Sequence, residues 1–329
     1  MNDNDGIRKN YILIVGQGRS GTNWLLDLLN LSLNTYCRNE ANEIENAPLA
    51  KLLESGMAKT LDESFGNRWD EAIAAETLLM SDRDRLGLTP KFYLRESVRK
   101  LGGTALLSKK KIRKILSVFQ PNLKNNAWLV PAWLANPEKL KQALTVFKLN
   151  QVPAYAEWVL KNRPDTLVIH IVRHPGGFLN SWEKRYLALK NKEAVKQANE
   201  ERLKTIVLHN LEWAKIFGNI ETMTVDESEL WYWLYANEII YNAGNGSANY
   251  LLIVYEDLVN NTLEVIQQLY EKCQLAWTPE IEGEINKSTS KSGKIATAWQ
   301  KKLSEEQIKL VEKVLARSLM SQWWDNLTV

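Results

Sequence analysis

Apolar residues in this chain gather into short unbroken runs, each followed by a segment with helical spacing, and that rhythm sets the expected fold class. The run YILIVG at 11–16 has the length of a buried strand and stops at glycine, and WLLDLLNLSL at 24–33 has the apolar density of a buried helix. A second unit lies in TLVIHIVRHPGGFLNSWEKRYLAL, with a strand over 167–172, a breaker over 174–177 and a helix over 178–189. A third strand is expected in YLLIVYEDL, followed by a helix over 263–273, and a fourth over 145–149, leading to a helix around 155–161. Strands alternating with helices predict an α/β fold: a P-loop-type, mostly parallel sheet flanked by helices, with ligands at the carboxyl ends of the strands.

The span 46–143 departs from this rhythm. It reads as mainly helical, carries the charged runs DRDR (82–85) and KKKIRK (109–114), and is expected to be a helical insertion or acceptor-side cap within a single domain over 1–329. Residues 191–215 read as one long charged helix. No internal repeat, low-complexity tract or Pro/Gly/Ser linker interrupts the chain.

Composition narrows the class without naming a function. With 45% hydrophobic and 25% charged residues, the chain is an ordinary globular protein. Lys plus Arg at 42 against Asp plus Glu at 39 leaves +3, too little to imply a nucleic-acid partner, so any basic site is local. Cys37 and Cys273 have neither metal-type nor redox-type spacing, which fits a reducing compartment. The first ten residues are polar, and no stretch has the roughly 18 apolar residues of a membrane span, so the reading is a cytoplasmic protein with no integral membrane segment.

The chemistry starts at GQGRSGTNW. Gly16, Gly18 and Gly21 allow a tight strand-to-helix turn whose N–H groups point inward, and the following helix adds its positive end, so the loop favours phosphate or sulfate. Gly18, Arg19, Ser20, Gly21, Thr22, Asn23 and Trp24 are the candidate binding residues. The spacing matches the G-x-x-x-x-G frame of a nucleotide P-loop, but Thr22 and Asn23 stand where a kinase needs Lys and Ser/Thr. A small-molecule kinase is therefore the weaker alternative, and a non-catalytic nucleotide-binding protein is the other. No metal is expected.

GQGRSGTNWL resembles the 5′-phosphosulfate loop of the sulfotransferases that use 3′-phosphoadenosine 5′-phosphosulfate (PAPS). VIHIVRHPGGFLNSW is similar to their 3′-phosphate motif, an Arg and a Ser eight positions apart, which are Arg173 and Ser181 here. The YEDL at 255–258 stands where the family has it, and KSGKIATAWQKKLS is similar to the basic, glycine-containing segment that closes over the nucleotide, implying Lys291 and Gly293 as further contacts. The resemblance implies PAPS as co-substrate, PAP as product and a hydroxyl, or an amine, of a carbohydrate, lipid or other small acceptor. A homodimer is compatible with it.

Sulfuryl transfer needs in-line positioning and charge on the leaving phosphate. Arg19 is the first candidate for that charge; by the family pattern Lys148 is the second. Two positions on, where cytosolic small-molecule members carry a histidine base, stands Asn150, which cannot take a proton at neutral pH. His170 reads as buried structure, His174 as a candidate nucleotide contact and His209 as a helix residue. The expected base is Glu40 in CRNEANEI, by resemblance to the bacterial and carbohydrate-acting members, with Glu43 and Glu45 close by. Of thirteen tryptophans, Trp128 and Trp133 are candidates to stack on an acceptor, while Trp231 and Trp233 read as core.

Overall fold

The computed structural model describes residues 11–53, 64–84, 90–100, 126–186, 192–289 and 297–324. The KKKIRK run, Lys291 and Gly293 lie outside them.

Five parallel strands form the central sheet in the order β2-β5-β1-β6-β7, where β1 is Tyr11–Val15, β2 Thr35–Asn39, β5 Leu144–Lys148, β6 Leu167–Val172 and β7 Tyr250–Val254. Because side chains alternate across a strand, each run supplies both faces at once. Ile12 and Ile14 pack with Leu25, Leu26 and Leu29 of α1 (Thr22–Leu29) and with Ile266 and Tyr270 from the helix Thr262–Lys272. Leu13 and Val15 turn the other way, onto Tyr155 and Val159 of α2 (Pro153–Asn162) and Ile240 of the long helix Val225–Gly244. Trp231 and Trp233 of that long helix are buried, as expected, in a third cluster.

Strand β2 has no counterpart among the expected elements. Its sequence, TYCRN, ends in an arginine and an asparagine, yet all five residues are buried although β2 is an edge strand. The cap explains this. Arg38 donates to Glu76 at 2.7 Å and to Asp84, and Asp84 also accepts from the Asn39 amide at 2.8 Å, so the edge is covered by matched charge. The described part of 46–143 contains helices at Pro48–Leu53, Phe65–Glu76, Glu96–Lys100 and Pro137–Gln142. It also holds an antiparallel pair, β3 (Leu79–Ser81) with β4 (Ala127–Leu129). Three-residue strands are too short to show a period, so the sequence pattern missed them.

Three other boundaries shift. The breaker expected over 174–177 opens α3 (Pro175–Tyr186), since proline's fixed φ suits the first helical position. YEDL is not strand but the start of the helix Tyr255–Asn260. The long charged helix is split: α4 covers Lys192–His209, and a new helix starts at Glu212, whose amide is capped by the Asn210 side chain at 3.0 Å. The long helix Val225–Gly244 is α5 below.

Candidate active site

Each strand of the sheet delivers one functional position at its carboxyl end. Gly16 follows β1, Glu40 follows β2, Lys148 ends β5, Arg173 follows β6 and Tyr255 follows β7. With β1 central and β5 and β6 on either side, the three richest loops are neighbours.

On the β1/β6 side, backbone geometry does most of the shaping. Arg19 has a left-handed φ of 75°, and Gly21 follows with φ 95° as the residue before α1, whose N-terminal amides are not capped by a side chain. Gly21 cannot be replaced freely, because a Cβ there would stand 2.5 Å from Cδ2 of Tyr255. At Gly18, by contrast, a Cβ would meet nothing within 4 Å, whereas at Gly16 it would lie 2.5 Å from the Ile171 carbonyl oxygen. The Arg173 guanidinium donates to the Arg19 carbonyl at 3.1 Å and lies 4.4 Å over the Tyr255 ring. It also presses on Gly177, where a Cβ would lie 2.8 Å from its Nε. Arg19 in turn donates from Nε to the Ser181 hydroxyl at 3.0 Å. Both halves of the expected nucleotide site therefore meet in one place. Trp24 packs edge-on against Tyr255 at 6.2 Å and closes this side.

On the β2/β5 side, charge does the shaping. Lys148, almost fully buried, donates to one Glu40 oxygen at 2.6 Å, and Asn150 donates to the same oxygen at 3.1 Å. Arg83 from the cap reaches the other oxygen at 3.0 Å and also bonds Glu43 at 2.6 Å. Burial pushes the Glu40 carboxyl up, but Lys148 and then Arg83 outweigh it and hold it below the ordinary carboxylate range. Glu40 itself sits at a left-handed φ of 58°, fixed by its amide donating to the Lys148 carbonyl at 2.9 Å.

The sulfotransferase family model matches residues 11–279, most of the chain. The chain belongs to the sulfotransferase family. No curated protein matches it. Among solved structures it is similar to the sulfotransferase domain of the Synechococcus PCC 7002 olefin synthase, at 16% identity and TM-score 0.41, covering 97% of this chain and 98% of that one. Mouse sulfotransferase SULT7A1, complexed with PAP, is similar at 11% identity and TM-score 0.43, with 98% and 90% covered. A sulfotransferase from Alicyclobacillus acidocaldarius is similar at 12% identity and TM-score 0.36, with 92% and 99% covered.

In this sulfotransferase the glycine-rich loop holds buried polar atoms that no group among the described residues satisfies. Among the described residues no group pairs with the Ser20 hydroxyl, the Gln17 side-chain nitrogen or the Asn23 side-chain oxygen. A buried donor without a partner costs roughly 1–3 kcal/mol, a cost that a polar ligand at the loop would offset. Ser20 and Gln17 offer donors to an anion.

Two of the three histidines are held by other side chains. His170 is held between the Tyr250 hydroxyl at 2.9 Å and the Asn237 side chain at 3.0 Å, and burial pushes its pKa down to about 4. His174, the candidate nucleotide contact, is stacked on Trp299 at 4.4 Å and meets Trp324 edge-on at 5.5 Å. Burial, with Arg173 adding to it, brings His174 to about 3. His209 is exposed at the end of α4. Trp133 is exposed in the cap and Trp128 half-buried. Among the described residues no helix is long and apolar enough to cross a membrane.

Arg83 is the site residue that sequence reasoning missed. Its only signal was the DRDR run, where two arginines and two aspartates look alike. The structure separates them: Asp84 is buried on Arg38 and on the Ser81 amide at 2.7 Å, which turns its neighbour Arg83 toward Glu40.

Proposed function

We propose that this sulfotransferase moves a sulfuryl group from PAPS to a hydroxyl, or an amine, of a carbohydrate, lipid or other small acceptor. The observation that carries the reading is the junction of Arg173, the Arg19 backbone and Ser181, which joins a 5′-type anion loop to a 3′-type Arg/Ser pair. When bound, PAPS supplies a sulfuryl group whose bond to phosphate breaks as the acceptor oxygen bonds to sulfur, leaving PAP.

The residues divide the work. Gly18, Arg19, Ser20, Gly21, Thr22 and Asn23 present backbone amides, hydroxyls and one guanidinium to the 5′ side, with Trp24 as a wall. Arg173 and Ser181 take the 3′-phosphate, where a forked guanidinium suits a dianion. Arg19 and Lys148 offset the charge that grows on the leaving phosphate.

Glu40 receives the acceptor proton. Lys148, Asn150 and Arg83 occupy three of the roughly four lone-pair positions of its carboxylate, so one is left for the acceptor O–H. Asn150 cannot be the base, but its amide orients the base.

Titration calorimetry with PAP, PAPS and ATP tests the donor. Micromolar binding of PAP, lost in Arg173→Ala and Ser181→Ala and absent for ATP, is the expected result, and equal binding of ATP would favour a kinase-like nucleotide site.

A further inference from the structure

Past the end of the sheet, two consecutive residues of one segment hold two consecutive residues of its neighbour. Strands β6 and β7 pair in parallel register up to Val172 opposite Val254, and there the ladder stops, because both segments turn into helices. The next residues are Arg173 and His174 after β6, and Tyr255 and Glu256 after β7. All four are buried. The Arg173 guanidinium lies on the Tyr255 ring at 4.4 Å. The Glu256 carboxylate continues the pairing where the ladder ends, since the His174 amide donates to its two oxygens at 3.2 and 3.4 Å. Pro175, which opens α3, has no N–H to offer, so Glu256 takes up the last backbone donor before that helix.

Behind these residues stands the last part of the chain. The Trp324 indole N–H donates to a Glu256 oxygen at 3.0 Å, and the Trp324 ring packs against Trp233 of α5 at 6.0 Å. The His174 ring is stacked on Trp299 at 4.4 Å and meets Trp324 edge-on at 5.5 Å. His174 is therefore held both by its backbone and by its ring, and it is the residue next to Arg173. Glu256 has two effects on an anion near Arg173, of opposite sign. Its charge repels the anion, whereas its hydrogen bonds fix the loop that carries the guanidinium. Because its oxygens are engaged by N–H groups of that loop and of Trp324, the second effect is expected to prevail.

We infer that Glu256 is a positioning residue for the 3′-phosphate: it acts through the His174 backbone to set Arg173, and Trp324 steadies it from behind. The inference rests on the reading of Arg173 and Ser181 as the 3′-phosphate pair and extends it to Glu256 and Trp324. It also gives the end of the chain a part in nucleotide selection, since Trp324 reaches the clamp from 151 positions beyond Arg173.

The test is calorimetric titration of the full chain with PAP and with adenosine 5′-phosphate (AMP), which lacks the 3′-phosphate. Glu256→Gln keeps the shape, but its amide nitrogen cannot accept, so one of the oxygens that serve His174 and Trp324 is lost. The PAP Kd should rise about tenfold while the AMP Kd changes by less than about twofold. Trp324→Phe keeps an aromatic ring without the N–H and should move the PAP Kd the same way, by about threefold. Being the milder change, it carries the test if Glu256→Gln does not fold. Unchanged or tighter PAP binding in the variants overturns the inference, tighter binding because charge then outweighs position. An equal loss for both nucleotides also overturns it, because that marks a general loss of structure. A wild-type chain that binds AMP as tightly as PAP instead sinks the 3′-phosphate reading beneath it.

Discussion

The two sides of the site solve opposite problems. Around β1 and β6 buried polar atoms, Ser20 and Gln17 among them, have no partner among the described residues, and the loop has left-handed backbone at Arg19 and Gly21. Around β2 and β5 it matches nearly every charge: Glu40 with Lys148 and Arg83, Arg38 with Glu76 and Asp84. The first side is poised to gain free energy when an anion arrives. The second pairs its charges with one another and holds one carboxylate in a fixed orientation.

The largest effect should come from the matched side. Glu40→Gln keeps the shape but cannot take a proton, and its amide nitrogen cannot accept from the donors on one side, so kcat should fall by about 10²- to 10⁴-fold while the PAP Kd stays constant. Steady-state kinetics beside calorimetry separates the two, and wild-type turnover in this variant would dissolve the division between a binding side and a chemical side. The next effect is on stability. Burial works against the charge of Arg38, yet Asp84 and Glu76 raise its hold on its proton, and both carboxylates depend on it in return. Arg38→Met would leave them buried without their cation and should cost about 3–5 kcal/mol in urea unfolding. A loss under about 1 kcal/mol would show that the cap is anchored elsewhere.

How much of this could be read from the sequence follows the same division. The nucleotide side is built from contiguous residues, so GQGRSGTNW and the Arg173/Ser181 pair stood out with their spacing intact. Strands β1, β5, β6 and β7 were legible because each is mostly apolar. Strand β2 was not, because Arg38 and Asn39 are polar in sequence and become compatible with burial only once Glu76 and Asp84 arrive from about 38 and 46 positions away. Arg83 was hidden for the same reason: its role depends on a long-range contact that no local window contains. Glu40 could be named as a candidate, but not distinguished from Glu43 until Lys148 was seen to bond it.

A smaller effect tests the unmatched side. In Gly21→Ala the new Cβ would lie 2.5 Å from Tyr255 at a φ of 95°, a strain of about 1–3 kcal/mol. Tyr255 carries the Arg173 guanidinium on its face, so the displacement should pass to the 3′ side and weaken PAP binding by about tenfold, with little change in the pH dependence of kcat. If PAP affinity is unchanged, the loop is more pliable than its dihedral angles suggest.

The smallest predicted effect is the most discriminating. As the proposed base Glu40 must be ionised, and its carboxyl is held below the ordinary range by Lys148 first and Arg83 second, against burial. The acid limb of the kcat profile should therefore lie below the pH of an ordinary glutamate, with activity present above it and lost as pH falls through it. Removing a cation raises the carboxyl, so Arg83→Gln should move that limb upward, and Lys148→Gln should move it further. Because Arg83 is about a quarter exposed and divides its charge between Glu40 and Glu43, kcat on the neutral plateau should change less than about fivefold. A limb that stays in place in Arg83→Gln but moves in Lys148→Gln would reduce Arg83 to a tether for the cap. A downward move in either variant would mean that the titrating base is not Glu40.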